Sequence, residues 1–217
     1  MDDLGFGATI DTPEALRERY RPPTDGVRHK AFPHIDDHAA SYIAASPFVL
    51  IGTHAADGTS DVTPRGGPPG FVQVLDERRL LIGDLPGNNR LDTIENILQT
   101  GRIGLLVLVP GIEETVRING RACLTVEPEH LERATIEGRV PKAAIGVFTE
   151  EVYFHCAKAF RRSSLWKPEG WPATDGLASL GCIVVDQFKL EGITGEQIDA
   201  DLEKGYEATM WDPWDGA

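Results

Sequence analysis

The middle of the chain consists of short runs of apolar and β-branched residues, each ending at turn-forming residues. Such runs predict β-strands, because alternate side chains of a strand cover one face of a sheet. Asn119-Gly120 interrupts the alternation in one run and indicates a β-bulge. The predicted strands cover residues 48–54, 59–65, 71–75, 79–83, 102–109 and 114–127, with a last strand or strand pair at 143–154.

Helical signals flank these strands and interrupt them once. Residues 91–98 place apolar side chains on one helical face, and Gly101 ends this inserted helix. Thr194 and Gln197 form a capping box that opens a last helix. The other predicted helices cover residues 11–20, 36–45 and 128–136, while 155–166 is either helix or loop.

The order of elements favours one mainly β domain with α additions. Short strands joined by hairpin turns are typical of an antiparallel barrel or sandwich rather than of βαβ units. No Pro/Gly/Ser-rich linker divides the chain. We expect a single domain over residues 1–217, with a helical N-terminal extension (1–46), a barrel (47–155) and a C-terminal helical and acidic segment (156–217).

The charge of the chain excludes two classes of partner. It has 21 Lys and Arg against 34 Asp and Glu, a formal net charge of -13. Nucleic acids and anionic membranes attract cationic faces, so neither is an expected partner. The longest apolar run, 103–109, is too short for a membrane helix. Neither a leader sequence nor a Cys-x-x-Cys pair is apparent, so we expect a cytoplasmic protein whose three cysteines are small buried hydrophobes.

The first candidate for chemistry is the segment 63–71. It places Arg65 at a strand end beside Gly66 and a loop with little side-chain bulk. A ligand can approach such a backbone closely, and the guanidinium can donate two hydrogen bonds to an oxyanion. The alternative is a plain hairpin loop with a solvated arginine.

The second candidate is the segment 83–90, which runs into the inserted helix. Asn88, Asn89 and Arg90 lie where the free N–H groups and the dipole of a helix favour an anion such as phosphate. The alternative is an asparagine cap with Arg90 on the surface. The segment has neither a Walker A pattern nor a G-x-G-x-x-G turn, so a P-loop or Rossmann site is unsupported.

The third candidate is the basic segment, which we define as residues 155–167. It holds four cations and no acid in an otherwise acidic chain. Lysine and tryptophan suit a flat anionic ligand, while the alternative is a surface helix whose Trp166 packs on the core. The nearby cations could also lower the pKa of Cys156, although a buried structural thiol is the favoured interpretation. The six histidines show no metal spacing, and the C-terminal residues 211–214 are interpreted as a docking tail.

These segments, in this order, resemble the pyridoxamine 5'-phosphate oxidase-related family of FMN-binding split-barrel proteins. The similarity is greatest to the bacterial branch of about this chain's length and covers about residues 28–188. The segment from Ile82 to Ile97 is the most specific match. The supporting matches are residues 61–66, 68–71, 118–122, 154–159, 162–163 and 165–166.

The resemblance implies a six-stranded antiparallel split β-barrel that forms a homodimer with two FMN sites at the subunit interface. By position, Arg65 and Gly66 would lie along the flavin and its phosphate arm. Asn88, Asn89 and Arg90 would hold the phosphate. Four residues, which the resemblance assigns to the second subunit of the dimer, would complete the pocket: Lys158, Arg162, Ser164 and Trp166.

The implied activity is that of an FMN-dependent oxidoreductase acting on a small molecule, with NADH or NADPH as a possible electron donor. Lys158 would stabilise negative charge on the reduced ring. The Arg- and Trp-bearing C-terminal segment that binds the substrate phosphate in vitamin B6 oxidases has no clear counterpart, so B6 oxidation is not expected. The alternatives are an FMN carrier or redox sensor without turnover, and a related barrel that binds heme or a deazaflavin.

The acidity of the chain is concentrated in its tail. Residues 191–217 hold eight acids and one lysine, a net charge of -7, whereas the basic segment is +4. A phosphate-bearing cofactor is therefore compatible with the overall charge.

Overall fold

The computed structural model describes residues 5–211, and its centre is one antiparallel sheet of seven strands. The strands lie in the order β2-β1-β5-β6-β7-β4-β3. Their bounds are β1 Phe48–His54, β2 Ser60–Gly66, β3 Val72–Asp76, β4 Arg79–Gly83, β5 Arg102–Leu108, β6 Thr115–Thr125 and β7 Ala144–His155.

The expected mainly β fold with flanking helices is confirmed, but the strand count of six is wrong. The chain turns at residues 56–58 and returns along β1, so that β2 pairs with β1 over its whole length, from Ser60 opposite His54 to Gly66 opposite Phe48. The hairpin thus adds a full edge strand to the sheet. The seven runs in the hydrophobic pattern are the seven strands that form.

The sheet curls into a split barrel around one apolar core. Val49 and Ile51 of β1 are buried in the same cluster as Val72 of β3, although β1 and β3 lie near opposite edges of the sheet. Within the described residues β2 and β3 do not pair, so the barrel stays open between them. Burying this alternating set of side chains is what stabilises the curled form over a flat sheet.

The bulge indicated at Asn119-Gly120 is confirmed, with the extra residue on the facing strand. Asn119 is opposite Glu151 and Gly120 is opposite Thr149, which leaves Glu150 unpaired. The shift allows both Thr149 and Val152 to face the interior. A Cβ atom at position 120 would collide with the carbonyl oxygen of Phe148, so only glycine fits there.

The helices begin where the sequence provides caps. Thr12 caps the first helix through the N–H of Ala15, Asp36 caps the third, and Thr194 and Gln197 form the predicted capping box. The helices are α1 Pro13–Arg19, α2 Asp25–Arg28, α3 Asp37–Ala45, α4 Asp92–Thr100, α5 Pro128–Arg133, α6 Lys158–Ser163, α7 Leu180–Phe188 and α8 Gly195–Thr209. Neither α2 nor α7 is predicted from the sequence. Between residues 5 and 211, no helix is long and apolar enough to span a bilayer.

Candidate functional site

A cavity of about 810 Å³ lies beside β2, and we call it the candidate cavity. Three stretches of chain form most of its lining: β2, the segment from the end of β4 into α4, and the loop 138–142 between α5 and β7. The fold thus brings the first two candidate segments together. Five of the predicted site residues line this one cavity: Arg65, Gly66, Asn88, Asn89 and Arg90.

Buried polar contacts fix α4 against the β1–β2 hairpin. Thr93 donates a hydrogen bond from Oγ1 to Oδ2 of Asp61 at 3.0 Å. Asn96 donates from Nδ2 to Oγ1 of Thr53 at 3.1 Å. Thr93, Asn96 and Thr53 are all buried, so these bonds are shielded from water and specify how the helix start is placed over β2.

The guanidinium of Arg65 is a partly buried cation at the wall of the candidate cavity. Its Nη1 donates to Oδ1 of Asp84 at 3.0 Å, and about a quarter of its side chain is exposed. Its Nε is buried and has no hydrogen-bond partner among the described residues. An unpaired buried donor of this kind costs about 1–3 kcal/mol, so a ligand acceptor at this wall would be stabilising.

The loop before α4 leaves the helix start without a side-chain cap. Leu91 is the capping residue, with a left-handed φ of 59°, and it makes no side-chain bond to the helix. The interpretation of the asparagines as an ordinary cap is therefore wrong. Asn88 instead accepts a hydrogen bond from the N–H of Arg90 at 3.1 Å, and Asn89 adopts a left-handed φ of 57°. The first turn of α4 is thus open to an anion from the cavity side.

Arg90 is anchored at this helix start by an acidic neighbour. Its Nε donates to Oδ2 of Asp92 at 2.7 Å, while 74% of the side chain remains exposed. The hydrogen bond and the charge of Asp92 raise the pKa of Arg90, so its charge is constant over the working pH range. A single Nε contact leaves the outer guanidinium N–H groups for another acceptor.

The remaining wall of the candidate cavity was not found from the sequence. The loop 138–142 contributes Arg139 and Lys142, and Trp211 lines the same cavity while packing against the barrel core. The sequence did offer a signal for this loop, because Arg139 and Lys142 are two cations beside Gly138 and Pro141 in an acidic chain. Trp211, interpreted as part of a docking tail, lies at the cavity, and residues 212–214 of that tail lie outside the described part of the chain.

The basic segment does not line the candidate cavity of its own subunit. Lys158 opens α6, Arg162 lies within it, and Ser164 ends it with a left-handed φ of 52°. Trp166 stacks on Phe160 at a centroid distance of 5.5 Å and donates from Nε1 to the carbonyl of Ile112 at 2.8 Å. Within one subunit Trp166 therefore has structural partners, and a contribution of this segment to a second subunit's cavity stays a prediction.

The charge of the basic segment comes from its lysines and arginines alone. Partial burial, followed by the charges of Lys30 and Arg117, lowers the pKa of His155 below its usual value. The imidazole is therefore neutral at pH 7. One of the four cations, Arg161, is already paired with an acid outside the segment, because its Nε lies 2.7 Å from Oε2 of Glu113.

The cysteines are not the buried hydrophobes expected from the sequence. Cys123, Cys156 and Cys182 are all free and exposed. Cys123 alternates with Ala122 and Leu124, which pack against the core, so its side chain points outward from β6. Cys156 follows the last residue of β7 in the turn to α6. Its backbone hydrogen bond from Lys158, and then the charges of Lys158 and Lys30, lower the pKa of the Cys156 thiol, outweighing slight desolvation.

We expect Cys156 to react as a thiolate at lower pH in the folded protein than in the unfolded one. A lowered pKa increases the thiolate fraction at neutral pH, and the thiolate is the nucleophile. Iodoacetamide labelling of the peptide that contains Cys156, followed by mass spectrometry across pH, measures this. The midpoint should lie below that of the same residue in urea. Coincident midpoints would contradict the assignment.

Within residues 5–211 no cluster of three or more His, Cys, Asp or Glu side chains could hold a metal ion. The candidate cavity combines an uncapped helix start, two arginines and asparagine amides with the carboxylates of Asp61, Asp84 and Asp92. Arg65 and Arg90 are held by two of these carboxylates, Asp84 and Asp92.

Comparison with known proteins identifies the family. The family model described as pyridoxamine 5'-phosphate oxidase matches residues 35–156. This range contains all seven strands of the sheet. No functionally curated protein matches the chain.

Three solved structures are among those that match this chain. HupZ from Group A Streptococcus is 18% identical over 54% of this chain and 91% of its own, with a TM-score of 0.46. A protein from Clostridium acetobutylicum related to general stress protein 26 is 14% identical over 54% and 87%, with a TM-score of 0.41. A conserved hypothetical protein from Mycobacterium tuberculosis is 15% identical over 66% and 92%, with a TM-score of 0.42.

The family-model match spans more than half of the chain and contains β2 and the segment from the end of β4 into α4, which form two walls of the candidate cavity. The chain therefore belongs to the pyridoxamine 5'-phosphate oxidase family.

Proposed function

We propose that this protein binds FMN in the candidate cavity and is an FMN-dependent oxidoreductase that acts on a small molecule as a homodimer. The convergence of Arg65, Asn88 and Arg90 on one cavity, beside the uncapped start of α4, carries the proposal. Family membership supports it, since the resemblance implies the same cofactor at the same positions.

The residues of the cavity fit the two ends of the cofactor. Arg90, Asn88, Asn89 and the N–H groups of α4 would hold the phosphate, because they combine a cation with free donors. The buried, unpartnered Nε of Arg65 would donate to an oxygen along the rest of the molecule, where Gly66 adds no bulk. Bound FMN supplies two-electron redox chemistry, and the chain's own residues supply orientation and charge.

Lys158, Arg162, Ser164 and Trp166 belong to the proposal as contributions from the second subunit. Lys158 is exposed at the start of α6, and its ammonium group forms no ion pair with another described residue. A cation in that position would stabilise negative charge on the reduced ring. This role requires the dimer, because these residues do not line the cavity of their own subunit.

An FMN carrier or redox sensor without turnover is distinguished from an enzyme by reduction and reoxidation. NADH or NADPH is added to the FMN-loaded protein without oxygen, and the visible flavin band is followed before and after small-molecule acceptors are admitted. An enzyme shows bleaching and recovery over repeated cycles. A carrier keeps its oxidised spectrum with every donor.

Heme is not favoured by the described lining of the cavity, which contains no His, Cys or Met to serve as an axial ligand. A deazaflavin cofactor also carries a phosphate and would use the same anchors. Mass spectrometry of the extracted cofactor separates the deazaflavin from FMN.

A further inference from the structure

Helices α7 and α8 form a C-terminal hairpin that packs against itself. The N–H of Gly181 donates to Oδ1 of Asp199 at 2.7 Å. A Cβ atom at Gly181 would collide with the carbonyl oxygen of Gly195, and one at Gly195 would lie 2.7 Å from the backbone nitrogen of Cys182. The two backbones are therefore in direct contact, and α7 and α8 pack closely against each other.

The hairpin leaves apolar side chains exposed. In the described part of the chain, the extensive contacts of α7 and α8 are with each other. Of α7, only Gly181 is buried. A helix as apolar as α7 is normally covered by protein. The exposed large apolar residues between positions 177 and 193 are Leu177, Leu180, Ile183, Phe188, Leu190 and Ile193.

The charges of the hairpin and of the basic segment are opposite and similar in size. Helix α8 carries five acids and one lysine, a net charge of -4, and the basic segment carries +4. Among the described residues no ion pair joins the two. The ion pairs they make are Arg161 with Glu113 and Lys204 with Asp201.

We infer that the C-terminal hairpin docks on the basic segment of a second copy of this chain. The charge complementarity selects this occupant, and the apolar side chains of α7 supply the area that becomes buried. In a two-fold dimer the contact is made twice, so both hairpins are covered. The inference rests on the homodimer of the proposed function and adds which surfaces form it. An anionic membrane is disfavoured as the occupant, since α8 would be repelled from it.

Reciprocal charge reversal tests the pairing in the full-length, FMN-loaded protein. The hairpin variant is E196K/E203K/E207K, and the segment variant is R161E/K167E; all five side chains are exposed in one subunit. Sedimentation equilibrium gives the dimer dissociation constant. We expect each variant to raise it by about tenfold at low salt, less at high salt. The combined variant should return to within about threefold of the wild type.

A matched control reverses three acids elsewhere. Glu127, Glu129 and Glu132 at α5 are exposed and lie outside the hairpin, so E127K/E129K/E132K should leave the dissociation constant unchanged. A second variant, I183D, replaces an apolar side chain that is exposed in a single subunit and that the docking would bury. It should raise the dissociation constant by about tenfold or more while the circular dichroism spectrum stays native.

Three results would overturn the inference. The hairpin variant could dimerise as tightly as the wild type, the combined variant could fail to recover, or charge reversal could change thermal stability without changing the dimer. The last result would mean docking within one subunit. FMN content is measured on the same samples from the visible absorption. A hairpin variant that dimerises as tightly as the wild type and retains FMN therefore refutes the docking alone, and a wild-type dimer that cannot retain FMN refutes the proposed function alone.

Discussion

Replacing Arg90 by glutamate lowers the affinity for FMN by at least about 100-fold, which corresponds to about 2.7 kcal/mol. The substitution removes a charge-assisted hydrogen bond to the phosphate. It also places a second carboxylate beside Asp92, at a helix start where the wild-type arginine balances the acid. Equilibrium dialysis of the protein against FMN measures the change.

Two controls separate phosphate recognition from general damage. Arg79 is likewise exposed and paired with a nearby aspartate, Asp76, but it does not line the candidate cavity. R79E should therefore bind FMN like the wild type. Riboflavin, which lacks the phosphate, should bind wild type and R90E with similar affinity. If R90E retains FMN as well as R79E does, the phosphate is held elsewhere.

Replacing Gly120 by alanine destabilises the fold by about 2–3 kcal/mol. The new methyl group would overlap the carbonyl oxygen of Phe148, so β6 and β7 must separate locally at the bulge. These two strands form the longest ladder of the barrel. The smaller entropy of the unfolded alanine chain offsets only part of the strain. Urea unfolding measures the loss as a lower midpoint with an unchanged slope.

Gly52 is the matched control for this substitution. It also lies within a strand of the same sheet, but a Cβ atom there would meet only the carbonyl oxygen of Gly104, at 3.9 Å. We expect Gly52→Ala to change the free energy of unfolding by less than about 1 kcal/mol. Equal losses for Gly120→Ala and Gly52→Ala would show that the bulge does not require glycine.

The strands were predictable because their signals are local. The apolar runs predicted the strands that bury Val49, Ile51 and Leu105, and Asn119-Gly120 marked the bulge. Strand alternation also predicts that Cys123 is exposed, because it lies between two residues that face the core. The expectation of buried cysteines failed because it rested on the average behaviour of the residue type and not on strand parity.

The candidate site was predictable where its residues lie near one another in the sequence. Asn88, Asn89 and Arg90 precede a helix directly, and the hairpin that carries Arg65 packs beside that helix. Lys142 and Trp211 reach the cavity only because the sheet curls and the C-terminal helices return to the barrel. That closure depends on contacts between distant parts of the chain, which no local pattern encodes.

The most direct test of the account is the titration of the cofactor-free protein with FMN and, in parallel, with riboflavin. Bound flavin is quantified from its visible absorption after ultrafiltration. The account predicts one FMN retained per subunit and an affinity for FMN at least about tenfold higher than for riboflavin, because the phosphate anchors the cofactor at the start of α4. A protein that retains no FMN, or that binds riboflavin equally well, would contradict it.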